Sequence, residues 1–154
     1  MPLSAPSSLQ RDHEEIWQLL LGVQHLSGKT GSIAEKLAKD LKTHIDMEEE
    51  LALPLLGILP DLAKGKLRNG LAKKASVLGS RFEKQYPRML NGHKELGKYL
   101  DRLKTIGSEE GHLTAVRFAE ALEEHSQEEE EVLYPAAILA GRIASKAAKT
   151  TASK

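Results

Sequence analysis

The stretches His44-Ile45-Asp46-Met47-Glu48-Glu49-Glu50-Leu51-Ala52-Leu53-Pro54 and His125-Ser126-Gln127-Glu128-Glu129-Glu130-Glu131-Val132-Leu133-Tyr134-Pro135 are one pattern written twice. His, three Glu, a hydrophobic residue and Pro coincide when the two are laid 81 residues apart, an order that composition does not produce. Upstream, His13-Glu14-Glu15-Ile16 matches His93-Lys94-Glu95-Leu96 at a spacing of 80. Each half of the chain therefore reads as a helical hairpin with one His on its first helix and His-x-x-x-Glu on its second.

The flanking sequence agrees. Leu37, Leu41, His44, Glu48, Leu51 and Leu55 recur at steps of four and three, as do Leu90, His93, Leu96, Leu100 and Leu103, while strand-type alternation is nowhere sustained. The last helix continues the theme with Phe118, Leu122, His125, Glu129, Val132, Ala136 and Leu139 as its predicted buried stripe. Capping boxes at Ser7/Gln10 and Ser32/Glu35 predict the first two helix starts. Gly28-Lys29-Thr30-Gly31 separates those helices, and the first ends near Ser27. The second bends or breaks between Pro54 and Gly70, a third resumes near Leu71 with Pro87 as a kink or boundary, and Gly107 to Gly111 is the last breaker. The predicted fold is all-α, an up-down-up-down four-helix bundle. It forms a single domain over residues 1–154, with a helical core of about 8–144 and a frayed tail at 145–154.

In an antiparallel hairpin, residues equidistant from the turn lie at one height. The midpoints of His13 with His44, of His44 with His93 and of His93 with His125 all fall within or beside the Gly-rich turns, so the four histidines share a layer. On a helix, Glu48 and Glu129 lie one turn on from His44 and His125 and face the same core. Buried unpaired carboxylates cost several kcal/mol or protonate, so four imidazoles and two carboxylates in an apolar bundle make sense around cations. His13, His44, Glu48, His93, His125 and Glu129 are the predicted ligands of two divalent or trivalent ions, bridged by the two Glu, with donors suited to iron. Taking each hairpin as a local unit pairs His13 with His44 on one ion and His93 with His125 on the other. His25 and His112 fall off these faces and read as surface histidines, and Glu49, Glu50, Glu130 and Glu131 as solvated positions beside the ligand stripe. Trp17, four residues after His13, and Tyr134, five after Glu129 and next to Pro135, are expected to pack in the core, the alternative being that Trp17 walls the metal pocket.

Composition removes most other chemistry. The chain has 154 residues, no Cys, 22 basic and 22 acidic side chains, which excludes disulfides and thiolate metal sites and gives no case for nucleic acid or an anionic membrane. Residues 1–10 lack a basic, apolar leader pattern and no apolar run approaches a membrane span, so a soluble cytoplasmic protein is expected. Charge is nonetheless uneven: residues 61–104 hold 12 basic and 4 acidic side chains, and 105–135 hold 1 and 9. There is no H-E-x-x-H, P-loop or G-x-S-x-G.

The order His13, His44-x-x-x-Glu48, His93, His125-x-x-x-Glu129 over about residues 10–140 resembles the hemerythrin-like, or HHE cation-binding, family. That resemblance implies a four-helix bundle with two non-haem iron ions, carboxylate-bridged by Glu48 and Glu129 together with an oxo or hydroxo group. It also implies an open position for a small diatomic or peroxide, and a possible redox protein partner. Oxygen carriers of the family place a further His one turn after the third-helix His, and here that position is Gly97, so the set looks more like the di-iron proteins that repair nitrosative and oxidative damage. The implied role is binding or reaction with O2, NO or peroxide in stress response or iron handling. A sensor or binding module, a peroxide- or NO-reducing enzyme and a metal-free helical interaction module are the readings this leaves open.

Overall fold

The computed structural model describes residues 2–152, and they are all-helical. The elements are α1 (Ser7–Gln24), α2 (Gly28–Leu51), the short α3 (Leu53–Leu56) and α4 (Leu59–Ala63), α5 (Asn69–Glu109), α6 (Leu113–Glu128), a π-turn (Glu129–Leu133) and α7 (Tyr134–Ala152). α1 packs on α2 and α6, α2 on α5, and α5 on α6 and α7, so the long segments close into a ring. No helix among the described residues is long and apolar enough to cross a membrane.

The predicted faces hold through the first three segments: Leu37, Leu41, His44, Glu48, Leu51, Leu55, His93, Leu96, Leu100 and Leu103 are all buried, with Leu90 half-buried. Pro87, expected to kink or end a helix, lies inside the continuous α5 at an exposed position. The helix also runs past Ala144 to Ala152, beyond where fraying was expected, while residues 153 and 154 lie outside the described residues. Buried side chains form two apolar clusters. One contains Leu20, Leu37, Leu41, Leu96, Leu100, Phe118 and Leu122, the other Leu51, Leu55, Phe82, Met89, Tyr134, Ala137 and Ala140. Along every long segment the predicted ligands fall between members of the first cluster and members of the second.

Neither predicted capping box forms. α1 starts behind Pro6 without a side-chain cap, and α2 starts at Gly28, leaving Ser32 inside the helix. The reason is a long-range cap. The Glu110 carboxylate accepts the backbone N–H of Lys29 (3.0 Å) and Thr30 (2.7 Å) and the Thr30 hydroxyl, meeting donors that every helix start leaves open. Gly28 enters this cap with φ +78°, and a Cβ there would lie 2.1 Å from Glu110 Oε2, so both backbone and space call for glycine. The His112 ring reaches the Ser27 backbone carbonyl at 3.1 Å, so the turn after α5 is tied to the turn after α1 by two side chains.

Hydrogen bonds from Thr30 and from the Lys29 and Thr30 amides hold the Glu110 carboxyl below its ordinary value of 4.5. A depressed carboxyl contributes stability that is present above the unfolded-state value and is lost as pH falls through the folded-state one. Glu110→Ala should therefore lower the melting temperature at pH 7, and the gap from wild type should close as pH is taken below about 4.5; thermal melts across that range check it.

Candidate metal centre

α1 supplies His13, α2 supplies His44 and Glu48, α5 supplies His93, α6 supplies His125 and the π-turn supplies Glu129. The structure brings all six together. His13 Nε2 lies 3.1 Å from Glu48 Oε2 and 3.9 Å from Glu129 Oε2, while His44 Nε2 lies 2.6 Å from Glu48 Oε1. His93 and His125 place Nε2 at 3.2 and 3.4 Å from Glu129 Oε1. His13, Glu48, His125 and Glu129 form one set able to hold an ion, and His44, Glu48, His93 and Glu129 a second, each with donor atoms within 4.8 Å of one another. Both carboxylates belong to both sets.

The pairing of histidines differs from the local-hairpin expectation. The rings of His13 and His125 are 5.5 Å apart and those of His44 and His93 4.6 Å, so each pair takes one ring from each half of the chain. Adjacent helices at one height can be divided into neighbouring pairs in two ways, and sequence separation does not choose between them.

Two predicted surface carboxylates turn out to serve the site. The Nδ1–H of His13 donates to Glu49 (3.3 Å) and that of His93 to Glu130 (3.0 Å), repeat-related contacts that fix each ring and turn Nε2 inward. Glu50 and Glu131 instead pair with Arg81 and Gln127 on the surface, as expected of solvated positions. His25 is exposed and His112 half-buried, both away from the cluster. Trp17 packs half-buried against the first apolar cluster and lines an open groove of about 430 Å³ beside His13 and Glu49. It does not line the narrow cavity of about 10 Å³ among the ligands, whose apolar wall is Ile16, Leu41, Ile45, Leu96 and Leu122.

Tyr134 is buried in the core as expected, but its contact with the cluster is what sequence reasoning missed. Its hydroxyl donates a short hydrogen bond to Glu48 and lies 3.3 Å from His44 Nε2 and 3.2 Å from His93 Nε2. The π-turn places it there. Pro135 has no N–H for the Glu131 carbonyl, and the Tyr134 N–H bonds Glu129, five residues back, adding one residue to the turn. The phase of everything beyond shifts accordingly. Tyr134, Ala137, Ala140 and Ala144 are buried, whereas the predicted Val132 and Leu139 are each 56 % exposed. The sequence signal was the proline six residues after Glu in each repeat, since Pro54 interrupts the first copy at the same place and α2 ends at Leu51.

Glu48 and Glu129 are 1 % and 2 % exposed. Burial alone would raise the Glu48 carboxyl, but hydrogen bonds from His13, His44 and His93 hold it well below the ordinary range. Burial likewise disfavours charge on His13 and His93, yet contacts to Glu129 and Glu48 outweigh it and push both rings up to about 10. Tyr134 is pushed far above the usual phenol range by burial and by the Glu48 and Glu129 charges, so its proton stays. Without a metal, the protonated rings of His13 and His93 face the buried carboxylates. Glu48 Oε2 is buried with His13 Nε2 at 3.1 Å but no well-aligned hydrogen bond, an arrangement that a cation held by both would complete. Nitrogen and carboxylate oxygen donors of this number fit iron. No family model, curated protein or solved structure matches the chain.

Gly92 makes room for the His44 ring, because a Cβ there would lie 2.7 Å from His44 Nδ1. Gly92→Val should push that ring off Glu48 and lower metal affinity with about 1–3 kcal/mol of lost stability, read from metal titration and urea unfolding. Tyr134→Phe should cost the metal-free protein about 1–3 kcal/mol in the same unfolding assay, since a buried Glu48 oxygen loses one of its donors.

Proposed function

We propose that this chain is a cytoplasmic non-haem di-iron protein of the hemerythrin-like type. In this reading it is an up-down-up-down four-helix bundle that binds or reacts with O2, NO or peroxide in oxidative or nitrosative stress response or iron handling. The observation that carries the reading is the pair of four-donor sets sharing Glu48 and Glu129. His13 and His125 would hold one ion, His44 and His93 the other, and the two carboxylates both. Iron, when bound, supplies one-electron exchange with small oxygen- and nitrogen-containing molecules.

The chain's own part is positioning and exclusion. Glu49 and Glu130 keep Nε2 of His13 and His93 aimed inward, so a cation takes the place of a proton there and affinity rises with pH. Ile16, Leu41, Ile45, Leu96 and Leu122 wall the narrow space among the ligands and shield it from bulk water. Tyr134 keeps its proton and donates it in a hydrogen bond to Glu48 beside His44 and His93, so its part is to steady that carboxylate. Gly97 leaves the fifth-His position empty, and a Cβ there meets nothing within 4 Å.

Freshly purified protein should carry two irons per chain and near-ultraviolet charge-transfer bands. Glu129→Ala should lose both ions, and chelation should lower the melting temperature because the metal binds only the folded state. Iron content near zero after growth with added iron, or identical melts with and without metal, would overturn the reading. Steady-state peroxide or NO consumption then separates enzyme from binding module.

A further inference from the structure

The phase shift at the π-turn leaves an apolar stripe facing out. Val132, Leu139 and Ile143 are 56, 56 and 52 % exposed, with the half-buried Ala136 among them. Their spacing of four, three and four residues is that of a helix–helix seam. Isolated exposed leucines need no explanation, but a stripe that runs from the π-turn along α7 does.

We propose that this stripe is where two copies of the chain associate, with α7 packed antiparallel to itself about a twofold axis. The register is self-complementary. Val132 and Ile143, and likewise Ala136 and Leu139, are equidistant from the point midway between Ala137 and Ile138. A twofold axis there sets Val132 against Ile143 of the partner subunit and Ala136 against the partner's Leu139, a small residue facing a large one. The charges agree with the same direction. Glu128 and Glu131 lie at the N-terminal end of the stripe, and residues 136–154 carry four basic and no acidic side chains. Antiparallel packing brings Glu128 beside Lys146 of the partner subunit, while parallel packing would stack like charges at both ends. The seam is about three helical turns long, so it belongs to the weak end of specific interfaces, with association in the micromolar range. None of this rests on the metal reading, since all these side chains face away from the cluster.

Sedimentation velocity of the full, metal-replete chain from micromolar to near-millimolar concentration should show monomer passing to dimer. Leu139→Glu should stay monomeric with unchanged melting and metal content. Glu128→Lys and Lys146→Glu should each weaken association about tenfold, and the double exchange should restore it. Because the chain has no Cys, cross-linking reads the direction: an oxidised equimolar mixture of Val132→Cys and Ile143→Cys chains should form a mixed disulfide dimer, and Val132→Cys alone should not. A monomer at every concentration, self-linking of Val132→Cys, or a double exchange that fails to restore association would each overturn the proposal.

Discussion

Two carboxylates, Glu48 and Glu129, are buried in the middle of an apolar helical protein, and the surrounding architecture follows from compensating them. An uncompensated buried carboxylate costs several kcal/mol, more than one apolar contact returns. Four imidazoles and a phenol converge on the two acids, and they can do so only where four helical segments pass at one height. The cluster therefore divides the interior into two apolar regions, with Leu41, Leu96 and Leu122 on one side and Leu51, Met89 and Tyr134 on the other. Each region fixes the rods above and below the polar layer. Sliding one rod by a turn would remove a histidine from the acids and misplace leucines on both sides, so packing and electrostatics select the same register.

A proline six residues beyond each buried Glu gives the two repeats the same local problem and two solutions. Pro54 ends α2 and begins a short new helix at Leu53. Pro135 leaves the rod continuous but widens one turn, and α7 resumes a residue out of phase. At the position where the first repeat has Leu53, the second has Tyr134, and the widened turn swings that side chain onto Glu48. The same step that brings a phenol into the polar layer takes Val132 and Leu139 out to the surface.

Legibility followed the range of the interaction. The six cluster residues were readable because the repeat and the 3.6-residue period are local properties of the chain, and one height argument linked the hairpins. The start of α2 was not, since its cap comes from Glu110 on another turn and no local box announces it. Glu49 and Glu130 sit about 100° around the helix from their ligand neighbours, so on their own helices they look solvated. Only the approach of a histidine from the adjacent rod gives them work, and the repetition of Glu at both positions was the trace of it. The π-turn failed for a different reason: proline announces a distortion, but whether a helix breaks or widens depends on what the next side chain can reach.

Each histidine pair draws one ring from residues 13–44 and one from 93–125, which makes the cluster an interface between the two halves of the chain. A single hairpin offers His, His and Glu with no opposing acid, half of a site whose charges do not balance. Covalent joining of two such hairpins fixes them at high effective concentration, so the polar layer forms without an assembly step. The halves have nevertheless diverged where it matters chemically. Of the four histidines, Tyr134 contacts only His44 and His93, and Leu53 offers nothing equivalent to His13 and His125. Two positions that symmetry would make alike therefore differ in the hydroxyl beside them, and the His13 side instead borders the open groove beside Trp17. The two donor sets share both carboxylates and yet sit in different surroundings, one against a buried phenol and the other beside an open groove.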